Sequence, residues 1–273
     1  MDMPTSITAT IREIARAGRR IHELGASEGA AGNLSVFHGE VAELVPQFSR
    51  REPLLLPIAV PPPRDGVFVV TGSGIRLHEV MDDPAAMLAL VVVRAGHREA
   101  TLCTAEERRF ARLTSEFNSH LAIHFDKLSR QPLPYLALVH AQPRRLTYLS
   151  HVPNYQSGER LSRRLLRWQP EAILNLPSGI GYVGFRVPGS ERLMQDTAAA
   201  ARSHALVVWE KHGVIAYSES SVMAAVDLID YVEAAADYEF MDLCAGARAP
   251  GLSEQEIRQI SDAWRVPQSV FRG

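Results

Sequence analysis

Isoleucines at positions 7, 11, 14 and 21, followed by Leu24, recur at helical spacing and predict an amphipathic first helix that stops at Gly25. Short apolar runs at Leu34–Phe37, Val67–Thr71, Leu136–His140, Leu206–Trp209 and Val214–Tyr217 predict strands. Leu88–Arg94 and Glu99–Cys103 flank Ala95 and Gly96 and predict a hairpin. Helical patterns cover Glu116–Lys127, Leu161–Trp168, Ser190–Arg202, Ser220–Cys244 and Ser253–Ala263, and Pro143 suits a helix's first turn. Ala105–Ala111 predicts a short helical or turn segment, and Ile173–Phe185 a Pro-Ser-Gly turn between strand-like pieces. Glu43–Asp65 carries Pro46, Pro53, Pro57 and Pro61–Pro63, and predicts a long extended loop without regular elements. Hairpin-joined strands mixed with helices, without sustained βαβ alternation, predict an α+β layered fold with much antiparallel pairing. No repeat or low-complexity linker interrupts the chain, which reads as one domain over residues 1–273.

Composition narrows the function. With 273 residues, 46% hydrophobic and 22% charged, the chain can bury a sizeable core. A net charge of -2 leaves no basic excess for a nucleic-acid backbone, and the arginines within Arg160–Arg167 alternate with leucines as on a solvated helix face. The strongest apolar run, Met87–Val93, is far below the roughly 20 residues of a membrane helix. Two cysteines, Cys103 and Cys244, make no disulfide framework, and the first twenty residues lack a secretory apolar stretch, so a cytoplasmic location without a membrane partner is expected.

Three groups of residues carry candidate chemistry. Ala31–Ser35 (AGNLS) and Thr71–Gly74 (TGSG) are glycine-bearing loops able to turn several N–H groups toward one anion, although such a loop is more often only a turn. Thr114-Ser115-Glu116 opens a helix, where Ser115 suits either a cap or a phosphate contact and Glu116 either a first-turn acid or a general base. Glu116, His120 and His124 share one helix face, which lines a polar site or packs as a stripe. His140 and Gln142 end an apolar strand two residues apart and point the same way, and His212 follows a later strand. Two histidines are a weak metal signal by themselves.

The order Gly-Asn-Leu-Ser, Thr-Gly-Ser-Gly, Thr-Ser-Glu, His-x-polar and Lys-His-Gly resembles the class II aldolases of the aldolase/adducin superfamily. The rhamnulose-phosphate aldolase branch matches best through VFVVTGSG, DPAAMLALV, LTSEFNSH, ALVHAQ, PSGIGY and VVWEKHGV. The resemblance spans nearly the whole chain. It implies a three-layer α/β/α fold with a central, largely antiparallel sheet, and a homotetramer with sites at subunit interfaces. It implies reversible, metal-dependent aldol cleavage of a ketose 1-phosphate to dihydroxyacetone phosphate and an aldehyde. By matched positions, Gly32, Asn33, Ser73, Gly74 and Ser115 hold the phosphate of a small sugar-phosphate substrate. Glu116 is the acid/base, and Glu171 assists from a neighbouring subunit. His140 and His212 bind one divalent ion per subunit, usually zinc. The family's His-x-His is His140-Ala141-Gln142 here, and an oxygen ligand opens the site to manganese, cobalt or iron. His151 is a further candidate ligand, and Arg144 and Arg145 stand where the family has small polar residues. Sugar-phosphate epimerases and a dehydratase share the scaffold, and the adducin-like members are non-catalytic interaction proteins, so both readings stay open.

Overall fold

Ser6 caps the first helix by accepting the Ala9 N–H at 3.1 Å, and the helix then buries Ile7, Ile11, Ile14 and Ile21. The computed structural model describes residues 6–39, 45–61 and 65–271. In chain order these form α1 (Ile7–Glu23), β1 (Asn33–His38), β2 (Arg50–Leu55), β3 (Gly66–Thr71), α2 (Pro84–Met87), β4 (Leu88–Val93), β5 (Glu99–Thr104), α3 (Phe117–Arg130) and β6 (Tyr135–Ala141). There follow α4 (Arg144–Leu149), α5 (Gly158–Leu165), α6 (Pro170–Asn175), β7 (Gly181–Val183), α7 (Glu191–Ala201), β8 (Leu206–Trp209), β9 (Gly213–Ser218), α8 (Val222–Cys244) and α9 (Glu254–Trp264). Among the described residues, no helix is long and apolar enough to cross a membrane.

The strands form one nine-stranded sheet in the order β2-β5-β4-β3-β1-β6-β9-β8-β7. Every neighbouring pair is antiparallel except β7 with β8. β1, β3 and β6 are buried along their whole length, as strands covered on both faces must be. Alternation along β1 shows what covers them. His38 reaches Thr10 of α1 at 2.7 Å, whereas Ser35 reaches His120 and His124 of α3. The two helices therefore lie on opposite faces. α8 joins α1 on one side, and α7 packs with α3 on the other. This is the expected three-layer fold with a largely antiparallel centre.

Two local expectations need correction. The proline-rich stretch contains β2, which pairs with β5 on the sheet edge. Proline is tolerated there because an edge strand needs only one side of its backbone for pairing, and Pro53 sits mid-strand. Residues 43–44 and 62–64 of that stretch lie outside the described residues. In Ile173–Phe185 the first piece belongs to α6, with Pro170 at its start, and only Gly181–Val183 is a strand. The arginine-rich helix also does more than face solvent: just past α5, Arg167 pairs at 3.0 Å with Glu239, a carboxylate 1% exposed that also accepts from Tyr155 and Trp168.

A candidate metal and acid–base site

Register brings distant segments together. Asn33 is opposite His140 in the β1–β6 ladder, and the β8–β9 turn, running through Lys211 and His212, closes beside them. Glu116 stands immediately before α3, with its N–H bonded to Thr114 Oγ1 rather than to any cap from Ser115, which is exposed. Lys211 takes a left-handed conformation (φ 61°), and its N–H is held by the buried Ser150 hydroxyl at 2.8 Å, which turns His212 inward. Gly213 has no Cβ for a reason: one there would lie 2.5 Å from Ala141 O and 3.2 Å from His140 Cε1.

The Glu116 carboxylate is the centre. Its Oε2 accepts from Asn33 Nδ2 at 2.8 Å and lies 3.4 Å from His140 Nε2, and its Oε1 lies 3.1 Å from His212 Nε2. One ligating atom from each of Glu116, His140 and His212 falls within 4.8 Å of the others. Trp209 forms the floor: its ring lies 4.7 Å from that of His140 and 5.1 Å from that of His212, and its Nε1 is tied to Thr197 at 2.8 Å. Only the His212 side chain, 14% exposed, opens toward solvent.

The site's electrostatics favour a cation. His140 Nδ1 donates to Val214 O at 2.8 Å, so a neutral His140 carries its lone pair on Nε2 and aims it at the carboxylate. Protonation would relieve that clash, but burial pushes the His140 pKa down despite the opposing pull of Glu116. Burial alone would push the Glu116 carboxyl up, but attraction to a proton shared with the facing His140 and hydrogen bonds from His212 and Asn33 outweigh it and hold the group below the carboxylate range. His212 Nδ1 and Asn33 Oδ1 are buried without a protein partner. Once the proton that His212 donates is displaced, the carboxylate and the two imidazoles turn three ligand atoms toward one point and fit a divalent ion.

The two glycine-bearing loops lie next to it. Gly32, at φ +86°, backs against His140 O, which a Cβ would meet at 3.0 Å. The Thr71–Gly74 loop is stitched to the segment before Glu116 by Ser73 N–H to Arg112 O at 2.9 Å and Thr114 N–H to Thr71 O at 3.3 Å. Gly74 and Ser115 are both exposed, and space is open around Gly74. Gln142 packs its Cγ near Gly213, and its N–H bonds Ala26 O at 2.8 Å.

With this geometry in place, comparison with known proteins is decisive. The family described as "Class II Aldolase and Adducin N-terminal domain" matches residues 12–240. The chain belongs to this family. A rhamnulose-1-phosphate aldolase of Escherichia coli O81 (strain ED1a) is 30% identical over 249 residues, 89% of this chain and 88% of that protein. One of Bacteroides thetaiotaomicron is 31% identical over 155 residues, 57% of this chain and 57% of that protein. A sugar-phosphate aldolase from Thermotoga maritima has a similar structure, with TM-score 0.75 and 29% identity, over 89% of this chain and 98% of that one.

Not every candidate of this class II aldolase-family chain converges. Glu171 is exposed on α6, outside the cluster. His151 is exposed and absent from it. Arg145 is engaged by Asp237 at 2.9 Å and by the Phe240 ring. Lys211 Nζ pairs with Glu210 at 2.9 Å. Asn33 gives one of its two amide hydrogens to Glu116. Trp209, Thr197 and Ser150 escaped the sequence reading. The one hint was an aromatic residue three before His212 in VVWEKHGV.

Proposed function

We propose that the protein is a cytoplasmic, metal-dependent lyase that reversibly cleaves a ketose 1-phosphate, of rhamnulose-1-phosphate type, into dihydroxyacetone phosphate and a short aldehyde. The observation that carries this reading is the Glu116–His140–His212 cluster, buried at Glu116 and His140 and open at His212, set against two anion-type loops. The names of the matching relatives support the lyase class and the sugar-phosphate substrate. His140 and His212, with Gln142 through its amide oxygen, would hold the ion, and Glu116 is close enough to complete the set when no substrate is bound. A divalent ion there supplies Lewis-acid stabilisation of the negative charge that develops on the substrate oxygens as the C–C bond breaks. Zinc suits the imidazoles, and the neutral oxygen of Gln142 extends the choice to manganese, cobalt or iron.

The chain's own residues do the rest. The backbone N–H groups of Gly32 and Gly74, the remaining amide hydrogen of Asn33 and the hydroxyls of Ser73 and Ser115 grip the phosphate, helped by the positive end of α3. That grip fixes the reacting carbon near Glu116. Glu116 stays ionised in the folded protein, so it accepts a proton from the bound ketone in condensation and returns it in cleavage. Glu171 would assist from a neighbouring subunit of a homotetramer.

The test is product analysis on purified protein with a panel of ketose 1-phosphates, beside elemental analysis. Wild type should release dihydroxyacetone phosphate and carry about one divalent ion per chain. Glu116→Ala should lose turnover by roughly 100-fold or more and keep its metal. Normal turnover in that variant would remove Glu116 as the acid/base. A second reading rests on Gln142: the resemblance implies a histidine ligand at that position, and its replacement by glutamine leaves epimerisation or water loss on the same scaffold as the alternative. An isomerised or dehydrated product would select it, and a protein that takes up no metal would point to an adducin-like interaction protein.

A further inference from the structure

Beneath the site lies a polar group that the reaction above does not use. Ser35 is two residues beyond Asn33 on β1, so both side chains face α3. Its hydroxyl lies 2.7 Å from His120 Nδ1 and 2.8 Å from His124 Nε2. All three residues are 0% exposed. Burial pushes the His120 pKa down to about 3 and that of His124 well below its usual value, so both rings are neutral. His120 Nε2 and His124 Nδ1 are buried without a protein partner. Two such atoms cost about 1–3 kcal/mol each, which an apolar pair would avoid.

Proton counting constrains this group. Ser35 Oγ has no other hydrogen-bond partner among the described residues. It owns one proton, so it donates to one ring and accepts from the other. If it accepts from His120 Nδ1–H, it donates to His124 Nε2, and both rings carry their proton on Nδ1. If it donates to His120 Nδ1, it accepts from His124 Nε2–H, and both rings carry it on Nε2. The two histidines must share a tautomer.

Geometry links this lock to Glu116. His120 N–H bonds Glu116 O at 3.2 Å, and His124 follows one turn later. β1 thus grips α3 twice on one face, through Asn33 at the Glu116 carboxylate and through Ser35 one and two turns on. No side chain caps α3, so this second grip fixes the helix's rotation about its axis.

We propose that Ser35, His120 and His124 form a tautomer-locked positioning relay that holds the Glu116 carboxylate in its working orientation. The relay rests on the aldolase reading for its effect on turnover, but not for its tautomers. Two measurements on the metal-loaded full chain test it. Nitrogen NMR of histidine-labelled protein, assigned with His120→Asn and His124→Gln, should show His120 and His124 in the same tautomer; opposite tautomers overturn the proposal. Kinetics on a ketose 1-phosphate that wild type cleaves should show kcat of Ser35→Ala down roughly 10- to 100-fold with KM and metal content within about twofold. His120→Asn, which keeps a polar atom near the Nδ1 position, should retain more activity than His120→Leu. A Ser35→Ala protein with wild-type kcat overturns the proposal and leaves the aldolase reading intact. Wild type that cleaves none of these substrates sinks the aldolase reading instead, and the tautomers then judge the relay alone, as they do if Ser35→Ala fails to fold.

Discussion

Gln142 is the residue at which the proposed ligand set exchanges an imidazole for an amide oxygen. It follows β6 directly, with its Cγ 3.1 Å from where a Gly213 Cβ would be, so it borders the same turn that delivers His212. A neutral amide oxygen is a harder and weaker partner for zinc than an imidazole nitrogen. Gln142→His should therefore raise zinc affinity by roughly tenfold or more, read by competition with a chromogenic chelator, and reduce the activity gained with manganese relative to zinc. Unchanged zinc affinity would place the position 142 side chain outside the ion's reach. Gly213→Ala should act in the opposite sense, because its new Cβ collides with Ala141 O at 2.5 Å and forces β6 away from β9 at the ligands. A loss of about 2–4 kcal/mol in urea unfolding, with weaker metal retention, is expected. The ligand candidates were legible in the sequence because His140 ends one apolar run and His212 sits in the short break between two others, Leu206–Trp209 and Val214–Tyr217. Their support was not: nothing local marks Ser150 as the group that holds Lys211 in a left-handed turn, since the two are brought together only by the fold.

At the level of elements, the packing of α1 on β1 carries a titratable contact of its own. His38 ends β1, is 7% exposed, and reaches Thr10 Oγ1 at 2.7 Å with Tyr135 edge-on to its ring. Burial pushes its pKa from 6.5 to about 4. The unfolded chain therefore takes up a proton on falling through pH 6.5 that the folded chain refuses until about pH 4. Stability from this group is complete above 6.5 and declines as pH falls to about 4, by roughly 3 kcal/mol in all. His120, His124 and His140 are depressed in the same direction, so the contribution is isolated by difference. His38→Gln, which keeps a polar atom near Thr10, should unfold in urea with a shallower pH dependence between 4 and 6.5; an unaltered slope would mean that His38 is not forced neutral by the fold. Elements with a strong period were readable from the chain, as α1 shows by burying the very isoleucines that announced it. β2 was not, because proline is a breaker only where both sides of a strand must pair, and edge position is a property of the sheet rather than of the segment. α6 was missed for a related reason. Its six residues are too few to display a helical period, and contacts with α8 and α9 stabilise it.

For the whole molecule, the decisive question is whether one chain suffices. Glu116, His140 and His212 converge within a single chain, but Glu171 is exposed on α6 and, among the described residues, is not part of that cluster. If Glu171 contributes to turnover, as proposed, it must do so across a subunit boundary, and a closed ring of identical contacts would then give every site one Glu171 carboxylate, from a single neighbour. That arrangement has an arithmetic signature. Glu116→Gln and Glu171→Gln homo-oligomers should each be nearly inactive, since every site lacks one of the two groups. Unfolded together in equal amounts and refolded, they form mixed rings in which half the sites own an intact Glu116, and half of those face a neighbour with an intact Glu171. Turnover should recover to about a quarter of wild type, and light scattering should report the mass of a tetramer for all three preparations. If each variant alone is inactive and the mixture stays inactive while still assembling, the two carboxylates act within one chain or not together, and the shared-site architecture fails. If Glu171→Gln alone retains wild-type turnover, Glu171 has no catalytic part, and the cluster within one chain must account for the chemistry.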